Sequence, residues 1–315
     1  MTSPDASSAS RQPVVLCAGI AVEDFLFKVD TFPAPGTKMR ASDLVATTGG
    51  CAANAAVAVA RLGGRARFSG PVGTDDASRR FLDALAKTGV DPSGVLCVEG
   101  GSISVSGIFI DRDGEKMVAT LHGKGLDGAT PPDAAVLTAD IDVLLADNRF
   151  PAFVLPICRA AAARGIPVVL DVDKATKVDD PLFATASHLI FSSEALAATT
   201  GTADLGAALQ SIAAQMSAAQ ARGFLAVTNG PDDVLWLEHG ALRRLPVFAV
   251  KAVDTLGAGD SFHGGFALAL AEGRDEVAAM RFGAAAAALK CTRFGGISGT
   301  PGRDEVEALL GRNQT

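Results

Sequence analysis

The sequence predicts an α/β fold with a mostly parallel central sheet flanked by helices. Short runs rich in Val, Ile and Leu alternate with longer Ala-rich stretches of helical spacing. The 315 residues, 48% hydrophobic and 20% charged, supply ample core for one large α/β unit. A third observation concerns two interruptions of that rhythm. Segments 25–48 and 102–123 carry alternating patterns, as in Ile103, Val105, Gly107 and Phe109, with a turn over 111–114 and little room for helix. They are expected to form a small β-sheet lid, since open α/β sheets bind ligands beyond the carboxyl ends of their strands.

In chain order, residues 1–13 are small and polar and read as a disordered tail, without the basic and apolar regions of a targeting signal. Buried strands are predicted at 14–18, 67–70, 143–146, 168–171, 188–191 and 225–228. Helices are predicted at 52–62, 77–88, 153–164, 205–222, 260–271 and 276–289. Trp236 is expected to pack in a β-hairpin. With no internal repeat or low-complexity linker, residues 14–315 are expected to fold as one unit.

Composition excludes several functions. The 28 Lys and Arg against 35 Asp and Glu give a net charge of −7 with no basic stretch, which argues against a nucleic-acid partner. No uninterrupted apolar run reaches 18 residues, so no membrane span is predicted and a cytoplasmic protein is expected. Five cysteines (Cys17, Cys51, Cys97, Cys158 and Cys291) are odd in number and widely spaced, which predicts buried free thiols rather than disulfides or a zinc site. The four histidines show no metal-ligand spacing, and His263, one helical turn beyond Asp260, is read as a packing residue.

The most informative stretch is Val253-Asp254-Thr255-Leu256-Gly257-Ala258-Gly259-Asp260-Ser261-Phe262, which leads into an apolar helix. Three small residues let the backbone approach an anion, and the free N–H groups of a helix start favour negative charge. Asp260 follows directly and is read in two ways, as a helix-capping carboxylate or as the base for an attacking hydroxyl. Phosphoryl transfer needs such a cradle and such a base together. A dinucleotide fingerprint is disfavoured because Phe262 stands where its third small residue belongs, and no Walker A loop occurs. A second glycine pair, Gly49-Gly50, feeds another helix, where Asn54 offers both donor and acceptor among alanines.

These residues resemble the PfkB family of carbohydrate kinases, with the ribokinase-like fold. The resemblance covers nearly the whole chain after residue 13 and rests on Gly19 to Asp24, Gly49-Gly50 through Gly63, and Asp254 to Asp260. It implies a small β-sheet lid over the sugar and transfer of the γ-phosphoryl of MgATP to a primary alcohol. Position by position it implies Asp260 as catalytic base, Gly257, Ala258 and Gly259 as anion hole, and Asp24, Gly50 and Asn54 as contacts to sugar hydroxyls. On the nucleotide side it implies Ser192, Thr228, Gly230, Lys290 and Arg293, with K⁺ near Asp254 and a homodimer formed through the lid.

One departure bears on Mg²⁺. Many members carry N-x-x-E where this chain has Ser192 and Ala195, which makes Asp171 the candidate for holding the metal through water. That departure and the run Arg281-Phe282-Gly283 to Lys290-Cys291 resemble the sulfofructose kinase and ketohexokinase groups, and Ala146-Asp147-x-Arg149 resembles the sulfofructose kinases in particular. Lys38 and Arg149, each unremarkable alone as a surface charge, together suggest an anionic sugar such as 6-deoxy-6-sulfofructose, although Thr120 stands where that group would have Asn. Ribose, ketohexoses, 2-keto-3-deoxy acids, a nucleoside clamped by Phe25, Phe27 and Phe109, and a sugar-binding regulator without catalysis stay open.

Overall fold

The computed structural model describes residues 11–216 and 223–312. The chain begins β1 (Val14–Ala18), β2 (Val22–Lys28), β3 (Asp43–Gly49), α1 (Cys51–Arg61), β4 (Arg65–Ser69), β5 (Pro71–Val72), α2 (Asp76–Ala86), β6 (Leu96–Cys97), β7 (Ser104–Ile110) and β8 (Lys116–Leu121). It continues α3 (Ala134–Leu137), β9 (Val143–Asp147), α4 (Pro151–Ala163), β10 (Val168–Val172), β11 (His188–Ser192), α5 (Ser193–Thr200), α6 (Leu205–Gln215) and β12 (Phe224–Thr228). The last part is β13 (Val234–Glu238), β14 (Ala241–Leu245), α7 (Ala258–Ala271), α8 (Glu276–Cys291) and α9 (Arg303–Arg312).

Eight strands form the main sheet in the order β14-β13-β12-β11-β10-β9-β1-β4. The six from β12 to β4 are parallel and coincide with the six strands read from the sequence, while β13 and β14 add an antiparallel hairpin containing Trp236. Apart from the edge strand β4, their apolar runs are nearly continuous because both faces are covered. Val15 and Cys17 face a core shared with α1, α7 and α8, whereas Val14, Leu16 and Ala18 face one shared with α4 and α6. From β1 the chain passes to β4 on one side and then to β9 on the other, so the strand order reverses between β1 and β9. Such a reversal opens a crevice at the carboxyl ends of those strands.

Two helices carry the glycine motifs, and their close packing brings the motifs together. On α7, a Cβ added to Gly264 would lie 2.6 Å from the Ala55 carbonyl of α1, so only glycine permits this approach. The small sheet has the order β3-β2-β7-β8, with its strands in the two segments of alternating pattern. Its inner face, Leu26, Ile108 and Ile110, packs with Val45, Leu256 and Phe294.

Several expectations change. Residues 1–10 lie outside the described chain, but Arg11 to Pro13 are fastened: Arg11 pairs with Asp142 at 2.5 Å and Gln12 donates to the Gly63 carbonyl at 2.6 Å. The helix predicted over 205–222 is observed only as α6, and 217–222 lie outside the described residues. All five cysteines are free, yet Cys97 is exposed rather than buried, because β6 is a two-residue strand at the surface.

Candidate active site

The crevice between β1 and β9 collects acidic and amide side chains from four directions. β2 supplies Asp24, α1 supplies Cys51 and Asn54, the ends of β9 and β10 supply Asp147, Asp171 and Asp173, and α7 supplies Asp260. Asn54 Nδ2 donates to Asp260 Oδ2 at 2.7 Å, which joins the two glycine motifs through one hydrogen bond. Asn54 is buried, and its Oδ1 has no partner. An unpaired acceptor at such a place is costly unless a ligand hydroxyl satisfies it.

Asp260 stands in the first turn of α7, yet it does not cap that helix. Gly257 is the N-cap, with φ of 77° and no side-chain capping bond, so a left-handed glycine turns the chain into α7, whose first amide, that of Ala258, donates to the Thr255 carbonyl at 3.2 Å. Gly259 is exposed and Asp260 half-buried, so the cradle is open to a ligand. Burial raises the Asp260 carboxyl to about 7 against the opposing Asn54 hydrogen bond, with Asp173 and Asp24 adding negative field. Burial likewise raises Asp24 to about 6, opposed by a hydrogen bond from Ser106. The capping reading of Asp260 therefore gives way, since Gly257 and not Asp260 holds the N-cap.

Around these groups lies a supporting network that sequence reasoning missed. Asp147 accepts from the backbone N–H groups of Ile20 at 2.7 Å, Ala52 at 3.1 Å and Arg149 at 2.9 Å, and so ties β1, α1 and β9 together. Arg149 pairs with Asp173, whose other contact is the Cys51 thiol at 3.6 Å. Burial works against the Arg149 charge, but Asp173 outweighs it and raises the guanidinium further. Asp147 and Asp173 each end or follow a parallel strand at the ligand edge, which was the available signal. Lys116, at the start of β8, contributes positive field at Asp260 from the small sheet. Lys38, by contrast, lies exposed in the loop between β2 and β3.

The arrangement does not make a magnesium site from protein groups. Cys51, Asp171 and Asp260 offer ligand atoms within 4.8 Å of one another, but a thiol held protonated by burial is a poor partner for a hard cation. Asp171 is instead 3.2 Å from His263 Nε2, both groups being buried. Burial drives the Asp171 carboxyl up and the His263 imidazole down to about 4, so both tend to the neutral form. Asp171, expected to hold magnesium through water, is engaged by His263, and His263 is buried against it and Phe262.

On the nucleotide side, Ser192 and Thr228 are register partners at the ends of β11 and β12, and Gly230 follows in a left-handed turn. Ser192 Oγ accepts from Ala195 N–H at 3.1 Å as the cap of α5. The structure bears on three further expectations. Lys290 is wholly buried, with Nζ 2.7 Å from the Asp254 carbonyl and 3.1 Å from Asp254 Oδ2, so it cannot meet a nucleotide. Arg293 is ion-paired with Glu305 and 37% exposed. Asp254 is also filled: Oδ1 accepts from Leu256 N–H at 2.8 Å, and Oδ2 from Gly295 and Gly296 N–H at 3.0 and 2.8 Å. A carboxylate so occupied does not fit the expected K⁺.

A half-buried carboxylate in the first turn of a helix, at the switch point of a parallel sheet, fits the class of small-molecule kinases. The family described as "pfkB family carbohydrate kinase" matches residues 12–303. The chain belongs to that family and has its ribokinase-like fold. It is similar to a ribokinase of Bacillus subtilis (strain 168), 28% identical over 291 residues that cover 91% of this chain and 96% of the relative. Its structure is similar to a provisionally assigned ribokinase from Agrobacterium tumefaciens, with a TM-score of 0.91 and 37% identity over 96% of this chain and 98% of the other. It is also similar to Arabidopsis thaliana ribokinase complexed with ribose and ATP, with a TM-score of 0.80 and 25% identity over 95% and 98%. These three carry ribokinase names, not sulfofructose kinase or ketohexokinase. Among the described residues, no helix is long and apolar enough to cross a membrane.

Proposed function

We propose that this protein transfers the γ-phosphoryl of ATP to the primary hydroxyl of a small uncharged sugar, with ribose the first choice. The observation that carries the reading is the Asn54–Asp260 pair at 2.7 Å, set at the open start of α7 with Asn54 Oδ1 unpartnered. The sugar's hydroxyls lie against Asp24, Asn54 and the backbone at Gly50, and its primary hydroxyl faces Asp260. As the sugar oxygen bonds to the γ-phosphorus, the bond from that phosphorus to the β–γ bridging oxygen breaks and ADP leaves. The hydroxyl proton passes to the Asp260 carboxylate, while the amides of Gly257 and Gly259, and that of Ala258 once released from the Thr255 carbonyl, stabilise charge on the transferring group. ATP enters along Ser192, Thr228 and Gly230. The four-stranded sheet closes as the lid and excludes water.

The charge of the crevice supports an uncharged sugar over an anionic one. Arg149 is neutralised by Asp173, Lys38 is exposed in its loop, and carboxyl groups dominate the rest. A sulfonate would meet that field without a free guanidinium to bind it. A nucleoside is also disfavoured, since Phe27 and Phe109 stack on each other with centroids 5.4 Å apart rather than forming a clamp. Incubation with ATP, magnesium and ribose, followed by phosphorus NMR, is expected to show a new phosphomonoester on the primary carbon. Consumption of ATP without any sugar phosphoester, across ribose, fructose and 2-keto-3-deoxygluconate, would contradict the proposal.

The proposal includes a homodimer formed through the lid. Leu44, Met117, Val118 and Leu121 are 45–69% exposed, and β8 is exposed along its whole length. An uncovered apolar edge strand is an energetic liability that pairing with a second copy would remove.

A further inference from the structure

We infer that the Lys290 ammonium serves as a built-in monovalent cation, so that this enzyme neither binds nor needs free K⁺ at Asp254. Lys290 lies in the last turn of α8 with no solvent exposure and reaches back to the loop that precedes the anion cradle. Its Nζ is held by the Asp254 carbonyl at 2.7 Å and by Asp254 Oδ2 at 3.1 Å, a carbonyl and a carboxylate oxygen being the ligand types a bound monovalent cation uses. An ammonium on a flexible stem is a compact point charge that can occupy such a place covalently.

The same Asp254 joins two loops. Its Oδ1 fixes Leu256, one residue before Gly257, and its Oδ2 fixes Gly295 and Gly296 beyond α8. Backbone bonds from Val253 and Asp254 N–H to the Cys291 carbonyl, at 2.7 and 3.2 Å, close the junction. The Lys290 charge compensates this buried carboxylate and so sets the position of the cradle. A second cation placed there would face a buried like charge at close range, with the Asp254 oxygens already taken. Lys290 is therefore a positioning residue whose charge replaces a diffusible ion.

The inference rests on the kinase reading only for its activity arm, so thermal unfolding and calorimetric ADP binding accompany turnover. In the full-length wild-type protein, replacing tetramethylammonium chloride with KCl up to about 100 mM at constant ionic strength is expected to change turnover by less than about twofold. Melting temperature and ADP affinity are expected to stay unchanged. Lys290→Ala vacates the ammonium site and leaves a buried carboxylate uncompensated. That variant is expected to melt lower than wild type in tetramethylammonium chloride, and to recover melting temperature and ADP affinity saturably with KCl or NH₄Cl.

Activation of the wild type by K⁺ of about tenfold or more, or a saturable K⁺-dependent rise in its melting temperature, would overturn the inference. So would a soluble, folded Lys290→Ala whose stability ignores the cation. If Lys290→Ala does not fold, the wild-type arms alone decide. Lack of turnover on every sugar would count against the proposed function and leave the thermal and ADP arms intact.

Discussion

At the scale of single residues, the functional account turns on how burial and one amide tune Asp260. A base must be ionised to accept a proton, and burial places this carboxyl at about 7. Turnover per sugar encounter is therefore expected to fall as pH drops through about 7 in a kcat/KM profile. The Asn54 hydrogen bond favours the charged form, so Asn54→Ala is expected to raise the sugar KM and move the acid limb to higher pH. An unmoved limb would separate Asn54 from the base. Stability responds with the opposite sign. A carboxyl raised from 3.8 to about 7 binds its proton more tightly in the folded state, and the stability this confers at low pH is lost as pH rises between those values. The melting temperature of Asp260→Asn is thus expected to gain on that of wild type between about pH 5 and pH 8, as measured by calorimetry.

At the scale of elements, the start of α7 does more than its sequence announces. Gly257 holds a left-handed conformation that a side chain strains, while an added Cβ would meet Ile297 only at ordinary contact distance, 3.4 Å and beyond. Gly257→Ala is expected to cost about 1–2 kcal/mol in urea unfolding, and an unchanged midpoint would mean that the turn can be made another way. The glycine cradle, Asn54 and Asp260 were legible because small residues at a helix start and a lone amide among alanines are local signals. The Asp147 and Asp173 network was not, since its meaning depends on β1 and β9 being neighbours across 125 or more residues of chain. The same holds for Lys290. In sequence it ends an ordinary helix, and only the fold buries it against Asp254, 36 residues earlier.

At the scale of the whole molecule, parallel strands such as β1, β9 and β10 were readable from continuous apolar runs, because burial on both faces leaves no alternation to mislead, whereas the edge strand β4 interleaves Arg65 and Arg67 with buried residues. The small sheet was readable for the opposite reason, from a period of two, but within β7 the phase is inverted: Ser104, Ser106, Ile108 and Ile110 are the buried set, and Val105, Gly107 and Phe109 are half-buried. Less legible were the short pieces, such as α3 and β5, which tertiary contacts rather than periodicity define. The exposed apolar edge of the small sheet carries a prediction at this scale. Light scattering after size exclusion is expected to give a dimer, and Val118→Asp with Leu121→Asp to give a folded monomer. A monomeric wild type would remove the lid from the interface.

The central claim is that Asp260 is the base of a sugar kinase. The most direct test is ADP release with ATP and magnesium on ribose, fructose, 2-keto-3-deoxygluconate, 6-deoxy-6-sulfofructose and adenosine, for wild type and Asp260→Asn side by side. The account predicts sugar-dependent release that is strongest with ribose and falls at least about a hundredfold in Asp260→Asn, with sugar binding nearly unchanged. Equal turnover in the two proteins, or release that ignores the sugar, would contradict it.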